Sequence, residues 1–232
     1  SKNDGIFILE LENQTTKNLK FDPRNPLSIS SSNFTPNQND IILSLDDDLW
    51  IGTVYGLNRY NIKTNLNKRF YQKEDNNSLN SNTINDLFYI DKKLSNEKIN
   101  ISNQILAATQ NGLSLINPSN NEIRNYSELK NWVIYNTFTI DDDILINTIN
   151  GIYLIDEIDE ENISLIKIVN SKGFSKTRKI TNNEFILYSY SNSFSRVIKN
   201  KNKYVNYSIT LPSSSKINDI KNYKGAYYIS TE

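Results

Sequence analysis

The sequence predicts an all-β protein assembled from repeated four-stranded antiparallel units, and three observations carry that expectation. One pattern recurs along the 232 residues: a short apolar run ending in Thr or Ser, two residues, then Gly and a second apolar run. Its anchors are Thr53, Thr109, Thr148, Ser189 and Thr231, spaced by 56, 39, 41 and 42 residues, close to the ~40–45 of a four-stranded propeller blade. Each interval divides into four runs rich in Ile, Tyr, Phe, Val and Thr, separated by Asn, Asp, Ser and Gly. No stretch holds apolar residues at three-and-four spacing for the length of an amphipathic helix. The expected fold is a β-propeller of about four complete blades plus two half-blades, as a partial seven-bladed ring in preference to a closed five-bladed one.

Taken in order, a half-blade at 1–21 opens on a third strand, Gly5 to Glu10. The first full blade, about 40–72, has Asp40 to Leu45 as inner strand, then Leu49 to Thr53, Leu57 to Asn61 and Lys68 to Gln72. Blades follow at about 83–127, 132–169 and 174–209, the last beginning near Phe174, and a half-blade at 216–232 closes the series. Ile84-Asn85-Asp86-Leu87 and Ile217-Asn218-Asp219-Ile220 are one inner-strand signature in two units. The long first interval reflects a polar insertion, Lys92 to Asn103. Gly after each second strand supplies the positive φ of a tight hairpin, and Asn192 stands in its place in the fourth unit. Trp50, at the site held elsewhere by Leu106, Leu145, Ile186 and Tyr228, reads as an inter-blade packing residue.

Composition removes several function classes. Twenty-six basic residues balance 26 acidic ones, so no net field draws the chain to nucleic acid. There is no Cys and no His, hence no thiolate chemistry, no usual general base and no common zinc ligand. No apolar run approaches the ~20 residues of a bilayer-spanning helix. No Met is present, and the chain reads as a piece of a longer protein. No catalytic residue, cofactor or metal is expected. The triplets Asp46 to Asp48 and Asp141 to Asp143 have the oxygen chemistry of calcium ligands, but both fall at the same hairpin position and read as turn residues. The run Asp156 to Glu161 reads as a solvated edge.

The string Asp47-Asp48-Leu49-Trp50-Ile51-Gly52-Thr53-Val54-Tyr55-Gly56-Leu57-Asn58-Arg59-Tyr60-Asn61 closely resembles the two-component regulator propeller repeat. In that repeat a turn precedes Leu-Trp-Ile-Gly-Thr, two variable residues, Gly-Leu and an Arg-Tyr pair. Asn25-Pro26-Leu27-Ser28 and Asn77-Ser78-Leu79 are similar to its approach between blades. Elsewhere Gly52 is replaced by Ala108, Asn147, Tyr188 and Ser230. The resemblance implies a periplasmic or extracellular sensor region of a hybrid two-component histidine kinase. Its implied partners are an oligosaccharide or other small ligand, neighbouring blades, and downstream immunoglobulin-like and kinase domains, with a homodimer also open.

Topology then selects a ligand face, because second–third hairpins and blade-to-blade crossings share one side of the disc. The hairpins offer Tyr55, Gln110, Asn111 and Asn150, and the crossings Asn82, Asn131 and Trp132. Aromatic rings stack on sugars and amides bond hydroxyls. Two other classes stay open: a protein-interaction propeller without a kinase, and a propeller lyase or glycosidase working through carboxylate or tyrosine chemistry.

Overall fold

The computed structural model describes all residues except 1–3, 35–39, 76, 171–175, 189–191, 213–215, 224–225 and 232. Phe174 and the anchor Ser189 lie outside the described residues. Twenty strands form four four-stranded antiparallel sheets and two two-stranded ones among the described residues. The first pair is β1 (Ile6–Glu10) and β2 (Thr15–Leu19). The first complete sheet runs β3 (Ile42–Leu45), β4 (Asp48–Thr53), β5 (Gly56–Asn61) and β6 (Asn67–Phe70). The second runs β7 (Ile84–Ile90), β8 (Gln104–Thr109), β9 (Gly112–Ile116) and β10 (Ile123–Asn125). The third comprises β11 (Ile134–Ile140), β12 (Asp143–Thr148), β13 (Gly151–Ile158) and β14 (Ile163–Asn170). The fourth comprises β15 (Lys176–Thr181), β16 (Glu184–Tyr188), β17 (Ser193–Asn200) and β18 (Lys203–Thr210), before the pair β19 (Ile217–Tyr223) and β20 (Ala226–Thr231). Strand order equals sequence order in every sheet, because each connection within a sheet is a hairpin.

Two compact units divide the chain: Ser1–Thr137 with Glu157–Ile163, and Phe138–Asp156 with Ser164–Glu232. In the first unit the β1–β2 pair lays Ile6, Ile8 and Leu19 on Ile51 and Tyr60 of the first complete sheet. That sheet turns Trp50, Leu57 and Phe70 the other way, onto Leu87, Ile105 and Ile116 of the second. Alternation along each strand thus serves two neighbours, which is why both faces are apolar at the second strands. In the second unit Leu145, Ile152 and Val169 pack on Phe185 and Val197, and Ile186 and Phe194 on Ile217 and Ile220.

Trp50 is fully buried, stacked on Phe70 with ring centroids 5.7 Å apart. The Arg59 guanidinium lies 5.3 Å from the Trp50 ring, held by Asp48 at 2.6 Å and by the Pro118 carbonyl at 2.7 Å. Gly52 beside it is required by close approach: a Cβ there would fall 2.6 Å from Ile84 Cγ2. Tyr188 occupies the corresponding position in the fourth sheet and sends its hydroxyl to Asp219 Oδ1 at 2.9 Å, adding a hydrogen bond to its apolar packing with Ile217 and Ile220 of the next inner strand. Burial and that bond push the Tyr188 phenol up to about 12.

The anchor threonines have a role beyond strand propensity. Thr53 Oγ1 donates to the Gly56 carbonyl at 2.8 Å and accepts from the Tyr55 N–H at 3.0 Å. Thr109 repeats this with Gly112 (2.9 Å) and Asn111 (3.0 Å), and Thr148 with Gly151 (3.0 Å) and Asn150 (3.1 Å). The glycines carry φ of 115°, 111° and 128°, the left-handed side that an L side chain resists. Threonine and glycine therefore act together as a hairpin staple. Thr53→Val keeps the shape and removes both bonds; urea melts are expected to show a loss of about 2 kcal/mol.

The acidic triplets form turns, with Asp46 and Asp141 at φ of 52° and 50°. Their last members are paired: Asp48 with Arg59 and Asn61, Asp143 with Lys199 at 2.9 Å and with the Tyr204 hydroxyl at 2.6 Å. The two Ile-Asn-Asp signatures each carry a register shift, between Ile84 and Asp86 and between Ile217 and Asp219, so the shared sequence encodes a shared bulge. Within the polar insertion, Ile99 and Ile101 are buried, and Ile99 forms a parallel bridge with Ile158. The run Asp156 to Glu161 is accordingly more than a solvated edge, because Ile158 is buried and Glu160 pairs with Arg124 at 2.8 Å.

Candidate functional site

The stapled hairpins and the crossings between sheets meet along one rim of the first unit. The crossing after β6 reaches the first hairpin where the Gly56 N–H donates to the Asn82 carbonyl at 2.6 Å and Thr83 Oγ1 donates to the Val54 carbonyl at 3.3 Å. Tyr55, 61% exposed, meets Tyr71 edge to face at 6.1 Å. The rim continues to the second hairpin, where the Gln110 N–H donates to the Thr83 carbonyl at 3.3 Å. Gln110 Nε2 donates to Asn85 Oδ1 at 3.1 Å, and Asn85 Nδ2 donates to the Ile134 carbonyl at 2.7 Å. Asn111 Nδ2 donates to the Asn80 carbonyl at 3.2 Å, and its Oδ1 accepts the Asn131 N–H at 2.8 Å. Asn131 has φ of 69° at the end of the crossing, and the neighbouring half-buried Trp132 donates its N–H to the Leu129 carbonyl at 3.1 Å.

Six of the seven residues selected from sequence therefore fall on one hydrogen-bonded rim: Tyr55, Asn82, Gln110, Asn111, Asn131 and Trp132. Asn150 belongs to the second unit, exposed, with its N–H on Thr148 Oγ1. The side chains differ in what they leave for a ligand. Asn82 Oδ1 holds the Gln72 N–H at 2.7 Å, and both amide atoms of Asn111 are engaged. Tyr55, Gln110 and Asn131 are exposed. Tyr71 and Asn85 were not selected, and only the spatial pairing of Tyr71 with Tyr55 and of Asn85 with Gln110 marks them. Among the described residues no group of three or more acidic side chains is arranged to hold a metal ion.

Two further polar features lie in the first unit. Asp86, almost wholly buried, accepts the Thr137 N–H at 2.8 Å and the Asp40 N–H at 3.3 Å. Burial raises its carboxyl to about 8, against the pull of the Thr137 N–H. A cleft of about 780 Å³ is lined by Asp75, Asn77, Glu122, Arg124, Asn125 and Glu160 among others. There Arg124 is held by Glu122 at 3.0 Å and Glu160 at 2.8 Å, and the bond to Glu122 raises its already high pKa.

No family model and no curated protein matches the chain. Solved structures do. The extracellular domain of BT4673, a protein of B. thetaiotaomicron assigned as a hybrid two component system, superposes with a TM-score of 0.58 at 15% identity, over 99% of this chain and 35% of that one. YCF48 bound to D1 peptide gives 0.53 at 16%, over 94% and 67%. PorZ, a surface component of the type-IX secretion system of Porphyromonas gingivalis, gives 0.53 at 14%, over 96% and 26%. The fold is a β-propeller. The chain spans about a third of the BT4673 domain and about a quarter of PorZ. In propeller terms the four complete sheets are blades, the two pairs are half-blades, and the rim is made of second–third hairpins and blade crossings. Among the described residues no helix is long and apolar enough to cross a membrane.

Proposed function

We propose that this propeller is the ligand-sensing, extracytoplasmic region of a two-component regulator, recognising an oligosaccharide on the rim and relaying its binding to a kinase in the parent protein. The carrying observation is the continuous rim that bears Tyr55, backed by Tyr71, then the exposed Gln110, its Nε2 held by Asn85, and farther on the exposed Asn131 and the half-buried Trp132. A flat aromatic face with amides at its margin matches a ring of hydroxyls above an apolar sugar face. The propeller holds the ligand and performs no chemistry on it; a periplasmic or extracellular location suits a ligand that arrives from outside. Likeness to the extracellular domain of BT4673 supports this reading at the level of the fold, and the repeat string around Trp50 supports it at the level of sequence. Parent-chain blades and the immunoglobulin-like and kinase domains are its expected partners.

The test is a thermal-shift screen of oligosaccharides against the whole extracytoplasmic region, followed by calorimetry on each hit. Tyr55→Ala is expected to weaken a true hit about tenfold, or about 1.4 kcal/mol, without lowering the melting temperature of the free protein. A screen with no stabilising sugar, or a hit unaffected by Tyr55→Ala, overturns the reading.

A further inference from the structure

The amide side chains of the rim are fixed in direction by main-chain groups that cannot exchange roles. The Ile134 carbonyl only accepts, so the wholly buried Asn85 turns its NH2 group to it, Nδ2 donating at 2.7 Å. Asn85 Oδ1 is left facing the second hairpin, and an oxygen there also only accepts. Gln110 must therefore present its own NH2 group, and Nε2 donates to Asn85 Oδ1 at 3.1 Å. The Gln110 main chain is held as well, by its N–H on the Thr83 carbonyl at 3.3 Å. Turning the carboxamide over would set two carbonyl oxygens against each other. What the exposed Gln110 offers to solvent is thus Oε1, which has no partner among the described residues.

Asn82 has the opposite polarity. Its Oδ1 takes the Gln72 N–H at 2.7 Å, which leaves Nδ2 for a ligand. Asn111 offers neither atom, with Nδ2 on the Asn80 carbonyl and Oδ1 on the Asn131 N–H. The rim so carries an acceptor at Gln110 and a donor at Asn82, each set from behind.

Charge is distributed to match. Thr53 to Gly56, Asn80 to Thr83, Thr109 to Gly112 and Asn131 to Val133 hold no charged residue, whereas the turns at the opposite ends of the same strands carry Asp46, Asp47, Lys63, Lys92, Lys93 and Glu122. Beside Asn85 stand carboxyl groups: Asp86 follows it in β7 and accepts the N–H of the exposed Asp40 at 3.3 Å. The cation nearest in sequence to these rim segments on the far side is the exposed Lys130, next to Asn131.

Resting on the sugar-binding reading above, we infer that Gln110 is a specificity-determining residue that selects neutral oligosaccharides over those bearing carboxylate or sulfate. A hydroxyl both donates and accepts, so sugar hydroxyls satisfy Gln110 Oε1 and Asn82 Nδ2 alike. A carboxylate or sulfate has no proton to give; set against Oε1, it leaves that oxygen unpaired and faces a partial charge of its own sign. A site built to bond a group rejects the analogue that lacks it by large factors, because its own polar atom is then stranded.

Two panels test this on the whole extracytoplasmic region, by thermal shift and then calorimetry: neutral gluco-, manno-, galacto- and xylo-oligosaccharides, and oligosaccharides of galacturonate, mannuronate and sulfated galactose. Hits are expected from the neutral panel, each about a hundredfold or more tighter than its acidic counterpart of the same length. Gln110→Ala, at an exposed site, should weaken a neutral hit about tenfold and admit no acidic one. Gln110→Lys should admit the matching acidic sugar, since a lysine still donates to Asn85 Oδ1 and turns its other N–H groups outward. An acidic sugar that binds as tightly as the neutral one, or through Lys130 so that Lys130→Ala abolishes it, overturns the inference. So does a neutral hit indifferent to Gln110→Ala. If the sugar bound in either case is weakened by Tyr55→Ala, the rim remains the sugar site and the proposed function stands without this specificity. Binding from neither panel overturns both.

Discussion

Replacing Trp50 with alanine is expected to lower the unfolding free energy by about 4 kcal/mol, the range of buried Trp and Phe truncations. The side chain is fully buried between the first two complete blades, stacked on Phe70 and packed with Leu57, Leu87 and Ile105. Its loss opens a void lined by apolar side chains anchored on two sheets, which can close only as far as the ladders on either side let those side chains shift. The same change releases Arg59 from the ring and leaves its guanidinium to Asp48 and Asn121 alone on the side-chain side. Trp50→Phe should recover more than half of the loss, because a ring still stacks on Phe70. Equilibrium urea denaturation followed by circular dichroism measures both, and a Trp50→Ala loss under 1 kcal/mol would mean that this blade interface is not held by Trp50.

Asp86→Ala is expected to cost about 2–3 kcal/mol, since it strands the buried Thr137 N–H, at about 1–3 kcal/mol for an unpaired buried donor, and also releases the Asp40 N–H. One carboxyl group ties three inner strands or their approaches together: its own strand β7, the Asp40 N–H ahead of β3 and the Thr137 N–H of β11. Its titration gives a second readout. Burial holds the folded carboxyl at about 8, well above its unfolded value near 3.8, so the folded state binds this proton more tightly than the unfolded one. The stabilisation is fully present below about pH 4 and is lost as pH rises through about 8. Denaturation at pH 5 and pH 8.5 should show the natural chain weaker at the higher pH and Asp86→Ala with a flatter dependence. A slope unchanged by the substitution would assign the titration to another group.

What was legible in the sequence was periodic and local. Thr53, Thr109 and Thr148 with the glycines three residues on could be read because a two-residue hairpin repeats its chemistry within five positions. The turn aspartates were legible because a turn is local, and the repeated Ile-Asn-Asp marked two inner strands as alike without announcing the bulge that they share. Pairings between distant residues were not. Nothing near Lys92 to Asn103 announces that Ile99 will bridge Ile158, and nothing near Asp86 names Thr137. The rim was found through topology, which put six residues on it. Which amides stay exposed depends on partners twenty or more positions away, as with Asn111 and Asn131. Tyr71 and Asn85 were missed because only tertiary contact distinguishes them from the many other Tyr and Asn residues of the chain.

The staple described above separates two tasks that most binding loops combine. Threonine and glycine hold the backbone of each hairpin without help from the two side chains between them, which read Val-Tyr, Gln-Asn and Ile-Asn in successive blades. The frame is constant and the dipeptide is a slot. Change in the slot leaves the frame's hydrogen bonds intact, so such a surface acquires new chemistry one pair of residues at a time, with its scaffold already in place for each trial.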